Sequence, residues 1–146
     1  MPRATRRVPP LGDGDYARLL ALRTTLREFE HWSAERAGEH GLTGSQHQLL
    51  LAIRGHGNNA GPTVGEVARL LLVRHNTAVE LADRTEELGL IERRRDRHDQ
   101  RLVRLRLTRT GRARLAQLSA VHLEELARLG GLVDGLLADL GEARAG

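Results

Sequence analysis

Between Arg93 and Arg114 the chain carries ten arginines against two acids, Asp96 and Asp99, whereas the rest of it carries 13 arginines against 17 acids. A guanidinium presents its N–H donors in a rigid fork that fits phosphate oxygens, so a strip this dense suits a polyanion. Placement is more telling than the total. All 23 basic residues are Arg and none is Lys, which points to a genome-wide codon bias and makes arginine richness alone weak evidence of recognition. Within the strip, Val103, Leu105 and Leu107 alternate with Arg104 and Arg106, a period of two that predicts a half-buried strand with its arginines toward solvent or ligand. Ile91 to Arg95 supplies the partner strand and Asp96 to Gln100 the connecting tip.

The elements that must position this hairpin read as helices. After Pro62, Thr63 and Glu66 have the S/T-x-x-E spacing of a capping box, followed by a stripe of Val64, Val67, Ala68, Leu70 and Leu71. His75 or Asn76 opens the next helix; Val79, Leu81, Ala82 and Leu88 are expected to face inward, and Gly89 to take the left-handed cap. A helix beside a basic ribbon suits double-stranded DNA, because the helix fits the major groove while the ribbon follows phosphates into the neighbouring minor groove.

Upstream, Thr43 or Ser45 caps a helix whose apolar positions Leu49, Leu50, Leu51 and Ile53 are nearly continuous, predicting burial on more than one side. It ends in the turn-rich GHGNNAGP. A first helix is expected from Asp15, as N-cap, to about Glu39, with Leu19, Leu20, Leu22, Leu26, Phe29 and Trp32 at helical spacing and Gly41 as its stop. Residues 1–14, rich in Pro, Gly and Arg, read as a flexible arm. From Thr110 onward, leucines from Leu115 to Leu140 outline two helices joined at Gly130 and Gly131.

At 146 residues the chain fits one domain that buries about 70% of its unfolded surface. Hydrophobic residues are 40% but aromatics only 2%, so the core is built from Leu, Val and Ala, as in helices packed on helices. The net charge of +4 and sequence pI of about 11.0 suit a polyanionic partner. The absence of Cys excludes disulfides, a thiol switch and thiolate metal sites. No apolar run reaches the roughly 20 residues of a membrane span, and MPRATRRVPP lacks a secretory apolar stretch, so a cytoplasmic protein without membrane contact is expected. The terminal helices carry more Leu than a small core absorbs, which points to a dimer interface.

The series VGEVARLLLVRHNTAVELADRTEELGLIERRRDRHDQRLVRLRLTRTG, preceded by LTGSQHQLLLAIRG and flanked by long helices, resembles the MarR family of winged helix-turn-helix transcriptional regulators. Its most specific parts are D-x-R at Asp99 and Arg101 and L-T-x-x-G from Leu107 to Gly111. Thr85 departs from the pattern, standing where the family commonly has Leu. The resemblance implies a mainly α fold with a small β-hairpin wing. In it, residues 15–146 form a single domain, with a DNA-binding lobe at about 45–109 and dimerisation helices at about 15–40 and 110–142. Thr63 to Leu72 is then the supporting helix, His75 to Leu88 the recognition helix and Arg93 to Arg106 the wing. A homodimer would meet a pseudo-palindromic operator with half-sites about one helical turn apart.

On this reading His75, Asn76, Thr77 and Glu80 face base edges: Asn pairs with adenine through two hydrogen bonds, and Thr meets a thymine methyl. For Asn76, helix capping is an equal and compatible role. Arg74 and Arg84 fit phosphates, with an ion pair to Glu80 as the alternative for Arg84. Along the wing, Arg93, Arg95, Arg97, His98 and Arg101 face DNA, the tip residues entering a narrowed minor groove. Asp99 cannot approach phosphates favourably and is expected to hold Arg101 or the hairpin backbone in place.

The family also commonly binds small aromatic or phenolic anions between the dimer helices and the lobe. That implies an effector site near Trp32, Arg36 and His47, with Phe29 read instead as core. His31, Glu35, Glu39 and His40, with His47 and His122, invite a metal reading, but without a tight H-x-x-x-H pair solvated or core histidines are the better reading, and no metal or other cofactor is expected. No G-x-S-x-G, phosphate loop or H-E-x-x-H occurs, so an enzyme is not expected. The expectation is a ligand-responsive repressor; the alternative is a winged-helix module that binds DNA nonspecifically or contacts another protein.

Overall fold

The computed structural model describes residues 10–145, with side chains to residue 139. Its elements run α1 (Asp13–Glu39), α2 (Gly44–Gly55), α3 (Val64–Leu71), α4 (His75–Glu87), β1 (Ile91–Arg95), β2 (Val103–Leu107) and α5 (Arg109–Ala145). This is the mainly helical fold with one antiparallel hairpin that the sequence implies. Most of the arm expected at residues 1–14 lies outside the described residues, but α1 takes in its last two. Asp15 therefore sits in the first turn rather than at the cap, and its carboxylate accepts the Gly12 N–H at 3.0 Å. The break expected at Gly130 and Gly131 is absent, and α5 runs through both. Glycine inside a helix costs only about 1 kcal/mol against Ala, too little to end one flanked by good helix formers.

The described residues divide into two compact units, residues 31–124 and residues 10–30 with 125–145. The first holds the hydrophobic core, in which Leu49, Leu50, Val67, Ala82, Leu90, Ile91, Leu105 and Leu118 are buried from four helices and both strands. Capping boxes start two of those helices. Thr43 accepts the Gln46 amide while the Gln46 side chain accepts the Thr43 amide, and Thr63 and Glu66 do the same for α3. Leu51, Leu70 and Leu88, expected inside, are about half exposed. The buried residues of α4 are Ala78, the expected Ala82 and Thr85, with the expected Leu81 packed partly buried against the core. Thr85 is fully buried without an orphaned hydroxyl, because Oγ1 donates to the Leu81 carbonyl at 2.7 Å.

The L-T-x-x-G run is a structural joint. The Thr108 hydroxyl donates to the Gly89 carbonyl at 2.6 Å and accepts the Gly111 amide at 3.1 Å, while the Thr108 amide bonds the Leu90 carbonyl. A Cβ on Gly111 would stand 2.0 Å from that same carbonyl oxygen, so only Gly lets α5 start against the end of α4. In the second unit Leu129 is buried, whereas Tyr16, Leu19, Leu20, Leu26, Leu126 and Leu132 are largely exposed.

These contacts set opposite outcomes for two helical glycines. Gly111→Ala should lower stability by about 2 to 4 kcal/mol through backbone overlap. Gly38, in the last turn of α1, has nothing within 4 Å of an added Cβ, so Gly38→Ala should raise stability by about 0.5 to 1 kcal/mol. Urea midpoints of the two variants check both signs.

Candidate nucleic-acid interface

Packing fixes which face α4 offers. With Ala78, Ala82 and Thr85 inward, the residues left outside include His75, Asn76, Thr77, Glu80 and Arg84, all exposed, as is Arg74 just before the helix. Arg74 is the N-cap residue and gives no side-chain capping bond. Asn76 therefore does not cap, which removes one of its two expected roles. Nor does Arg84 pair with Glu80 among the described residues; both line a shallow surface cavity with Thr77. The turn before α4 is tight: Leu72 takes a left-handed φ of 55°, with its amide bonding carbonyls of Ala68 and Arg69. That turn sets α4 across α3.

The hairpin pairs Ile91 with Leu107, Arg93 with Leu105 and Arg95 with Val103, so these side chains share the face toward the core. Arg93 is consequently drawn back to α4, where its guanidinium bonds Asp83 at 2.6 Å and Glu86 at 2.9 Å. It ties the hairpin to α4, and its guanidinium is taken up by these two carboxylates. Arg95 donates to the Gln100 carbonyl across the hairpin. On the outer face Arg104 also departs from expectation. It is mostly buried, donating to Asp96 Oδ2 at 2.5 Å and to the Gly61 carbonyl at 2.9 Å.

Asp96, to which residue type and spacing assign no role, organises the tip. Its Oδ1 accepts the amides of His98 and Asp99, and its own amide bonds the Leu102 carbonyl. The Arg104 hydrogen bond, then those two amides, hold its carboxyl down at about 2. Asp99 accepts from the Arg101 guanidinium and amide, which lowers its pKa as well. Arg101 nevertheless stays 90% exposed, beside exposed Arg97 and His98. The tip is thus a rigid turn carrying three cationic or ionisable side chains outward.

A second cluster forms where α1, α2 and α5 meet inside the first unit. The Trp32 ring stands edge-on to His122 at 4.9 Å, His47 lies 4.6 Å from His122, and the Arg36 guanidinium sits 5.9 Å from the Trp32 ring centre. Ser33 Oγ bonds one His122 nitrogen at 2.7 Å and the Leu118 carbonyl bonds the other at 2.8 Å. His47 is buried with Nδ1 unpartnered, and Arg36 Nε is also buried without a partner. Burial, reinforced by the neighbouring His122, lowers the His47 pKa to about 4. Sequence reasoning places His122 only among metal candidates, since nothing in spacing reveals a partner on a distant helix. Among the described residues no group of three or more His, Asp or Glu is placed to hold a metal ion. No helix there is long and apolar enough to cross a membrane.

The fold and this surface define a winged helix-turn-helix protein. Residues 40–102, from before α2 through the wing tip, match the model of the MarR family. Solved structures agree across the chain. A MarR family protein from Bacillus stearothermophilus superposes with a TM-score of 0.72 at 23% identity, covering 94% of this chain and 100% of its own. S. aureus MepR in a DNA complex gives 0.67 at 18% identity, with coverages of 93% and 98%. A mutant E. coli MarR complexed with operator DNA gives 0.61 at 24%, with coverages of 80% and 91%. At these identities the likeness shows the fold. No curated protein matches the chain.

The lowered His47 pKa gives stability a defined pH dependence. Between its unfolded value near 6.5 and its folded value near 4, the unfolded chain binds the extra proton, so stability falls as pH falls, by at most about 1.4 kcal/mol per pH unit. Asp96 adds its own loss below that, from its ordinary value of 3.8 toward 2. His47→Leu should flatten the upper window and leave the lower one. Urea titrations from pH 7 to pH 3 measure the slopes; an unchanged upper slope would contradict the assignment.

Proposed function

We propose that the protein is a homodimeric, sequence-specific regulator of transcription that binds double-stranded DNA and acts as a ligand-responsive repressor in the cytoplasm. The observation that carries this reading is the exposed polar face of α4, with Asn76, Thr77 and Glu80, beside a rigid wing tip bearing Arg97, His98 and Arg101. A helix offers its polar face to base edges, while guanidiniums at a hairpin tip suit a narrow minor groove. Arg74 and Arg84 at the borders of that face supply phosphate contacts. The DNA-bound MepR and MarR structures share the fold and support the same use of it.

The exposed leucines of α1 and α5 in the second unit supply the apolar surface for a two-fold interface with a second copy. The operator is then pseudo-palindromic, with half-sites about one helical turn apart. A small aromatic or phenolic anion acts as effector at Trp32, Arg36 and His47, where two buried nitrogens lack partners. Such a ligand relieves repression by its higher affinity for the arrangement of lobes that misfits the half-site spacing.

Selection of bound duplexes from a random pool tests specificity and symmetry together, and a selected-to-random affinity ratio near unity would favour a nonspecific module instead. Asn76→Ala with Thr77→Ala should cost about 1 to 3 kcal/mol on the selected sequence and little on random duplex. Arg97→Ala with Arg101→Ala should weaken both equally and lower the salt slope by about 0.9 for each phosphate no longer neutralised. Unchanged affinity through a salt titration would sink the wing's part in binding.

A further inference from the structure

Beside β2 lies a cavity of about 310 Å³ lined by no carboxylate. Its rim carries Arg54 from the end of α2, Arg106 from the outer face of β2 and Arg112 from the first turn of α5, with Asn58 and Asn59 from the α2–α3 loop. None of the three guanidiniums has an ion pair or hydrogen bond to protein among the described residues. Glu92, opposite Arg106 in the strand register, is engaged by Arg94 at 2.9 Å. Buried Ile53, Leu105 and Leu107 form the floor.

The loop that completes the rim is held in place. Gly61 has φ +89°, and a Cβ there would stand 2.0 Å from the Leu105 carbonyl oxygen, so this loop lies directly on β2. The Pro62 carbonyl accepts the Leu105 amide at 2.8 Å, the Gly61 amide bonds the Asn58 carbonyl at 2.9 Å, and Asn58 Oδ1 accepts the Ala60 amide. Three cations from three elements are therefore gathered on a fixed frame. Converging like charges are mutually repulsive, and the repulsion is relieved by an anion that reaches all three.

We propose that this cavity binds a small di- or trivalent oxyanion, a phosphate ester or polycarboxylate, at a site separate from the surface formed by α4 and the wing tip. One charge cannot balance three guanidiniums, and the volume is that of a small-molecule pocket rather than a solvated ion. Each guanidinium offers two parallel donors to an oxyanion, and the asparagine amides add neutral donors between them. The apolar floor accepts the carbon or ester part of the ligand.

The site is tested on the intact protein without DNA, so its outcome does not depend on the regulatory reading. Calorimetric titration with pyrophosphate, citrate and acetate at matched ionic strength should show saturable binding of at least one of the first two and none of acetate. A preference for pyrophosphate assigns a phosphate ligand; the reverse assigns a polycarboxylate. Arg54→Ala with Arg112→Ala, both exposed positions, should weaken that binding at least ten-fold while the thermal midpoint without ligand does not fall. Arg27→Ala with Arg69→Ala, which removes the same charge elsewhere, should leave it intact. Equal weakening in the two variants, binding of acetate with similar affinity, or no saturation would overturn the proposal.

Discussion

The pair between Arg104 and Asp96 is the interaction on which the wing depends. On the outer face of β2 the Arg104 guanidinium is shared between Asp96 and the Gly61 carbonyl, so it joins the tip to the loop that precedes α3. Asp96 then uses its other oxygen to hold the amides of His98 and Asp99. A two-stranded hairpin alone is marginal in water. This one is stabilised because its inner face completes the core through Ile91, Leu105 and Leu107 and its tip is closed around a single carboxylate. Removing either partner would leave a mostly buried charge unmatched, which costs far more than an exposed pair contributes.

Four of the ten arginines in the strip are engaged in building the lobe. Arg93 holds α4, Arg104 holds the tip, Arg95 crosses the hairpin, and Arg114 donates to the His40 carbonyl at the end of α1. Guanidiniums suit this work because each can bond several acceptors at once and keep its charge when partly buried. Of the others, Arg97 and Arg101 face outward at the tip, Arg106 and Arg112 line the cavity beside β2 together with Arg54 of α2, Arg94 pairs with Glu92, and Arg109 is exposed at the start of α5. The density seen in the sequence is therefore the sum of a scaffold and two smaller cationic surfaces.

The sequence was legible where local physics decides. Both strands begin and end where the alternation predicts, the Thr63 capping box is formed, and Gly89 is left-handed at φ 73°. It was misleading where the outcome depends on contacts distant in the chain. Alternation places Arg104 on the outer face, yet only the loop carbonyl of Gly61 and the carboxylate of Asp96 explain why that face is mostly buried there. Leu88 fits the helical stripe of α4, but the chain turns at Gly89 and buries Leu90 instead. Gly130 and Gly131 look like a break because composition cannot show that the helix continues on both sides. The meeting of Trp32, His47 and His122 joins three helices, and no spacing within one of them encodes it.

Under the proposed reading, charge on α4 divides the work between helix and wing. Its outward side carries Glu80, Asp83 and Glu87, and of these Asp83 is matched by Arg93. A helix with exposed carboxylates is repelled by phosphates unless its side chains find specific partners on the bases, so α4 contributes little to binding at arbitrary sequences. The salt-dependent attraction must then come from Arg97, Arg101 and the flanking Arg74 and Arg84. Because Arg93 bonds Glu86 as well as Asp83, the same residue that lowers the helix's negative charge fixes its distance from the wing. Discrimination and attraction thus reside on separate elements whose spacing is set by one guanidinium, and a duplex gains from both only when the groove geometry and the bases agree.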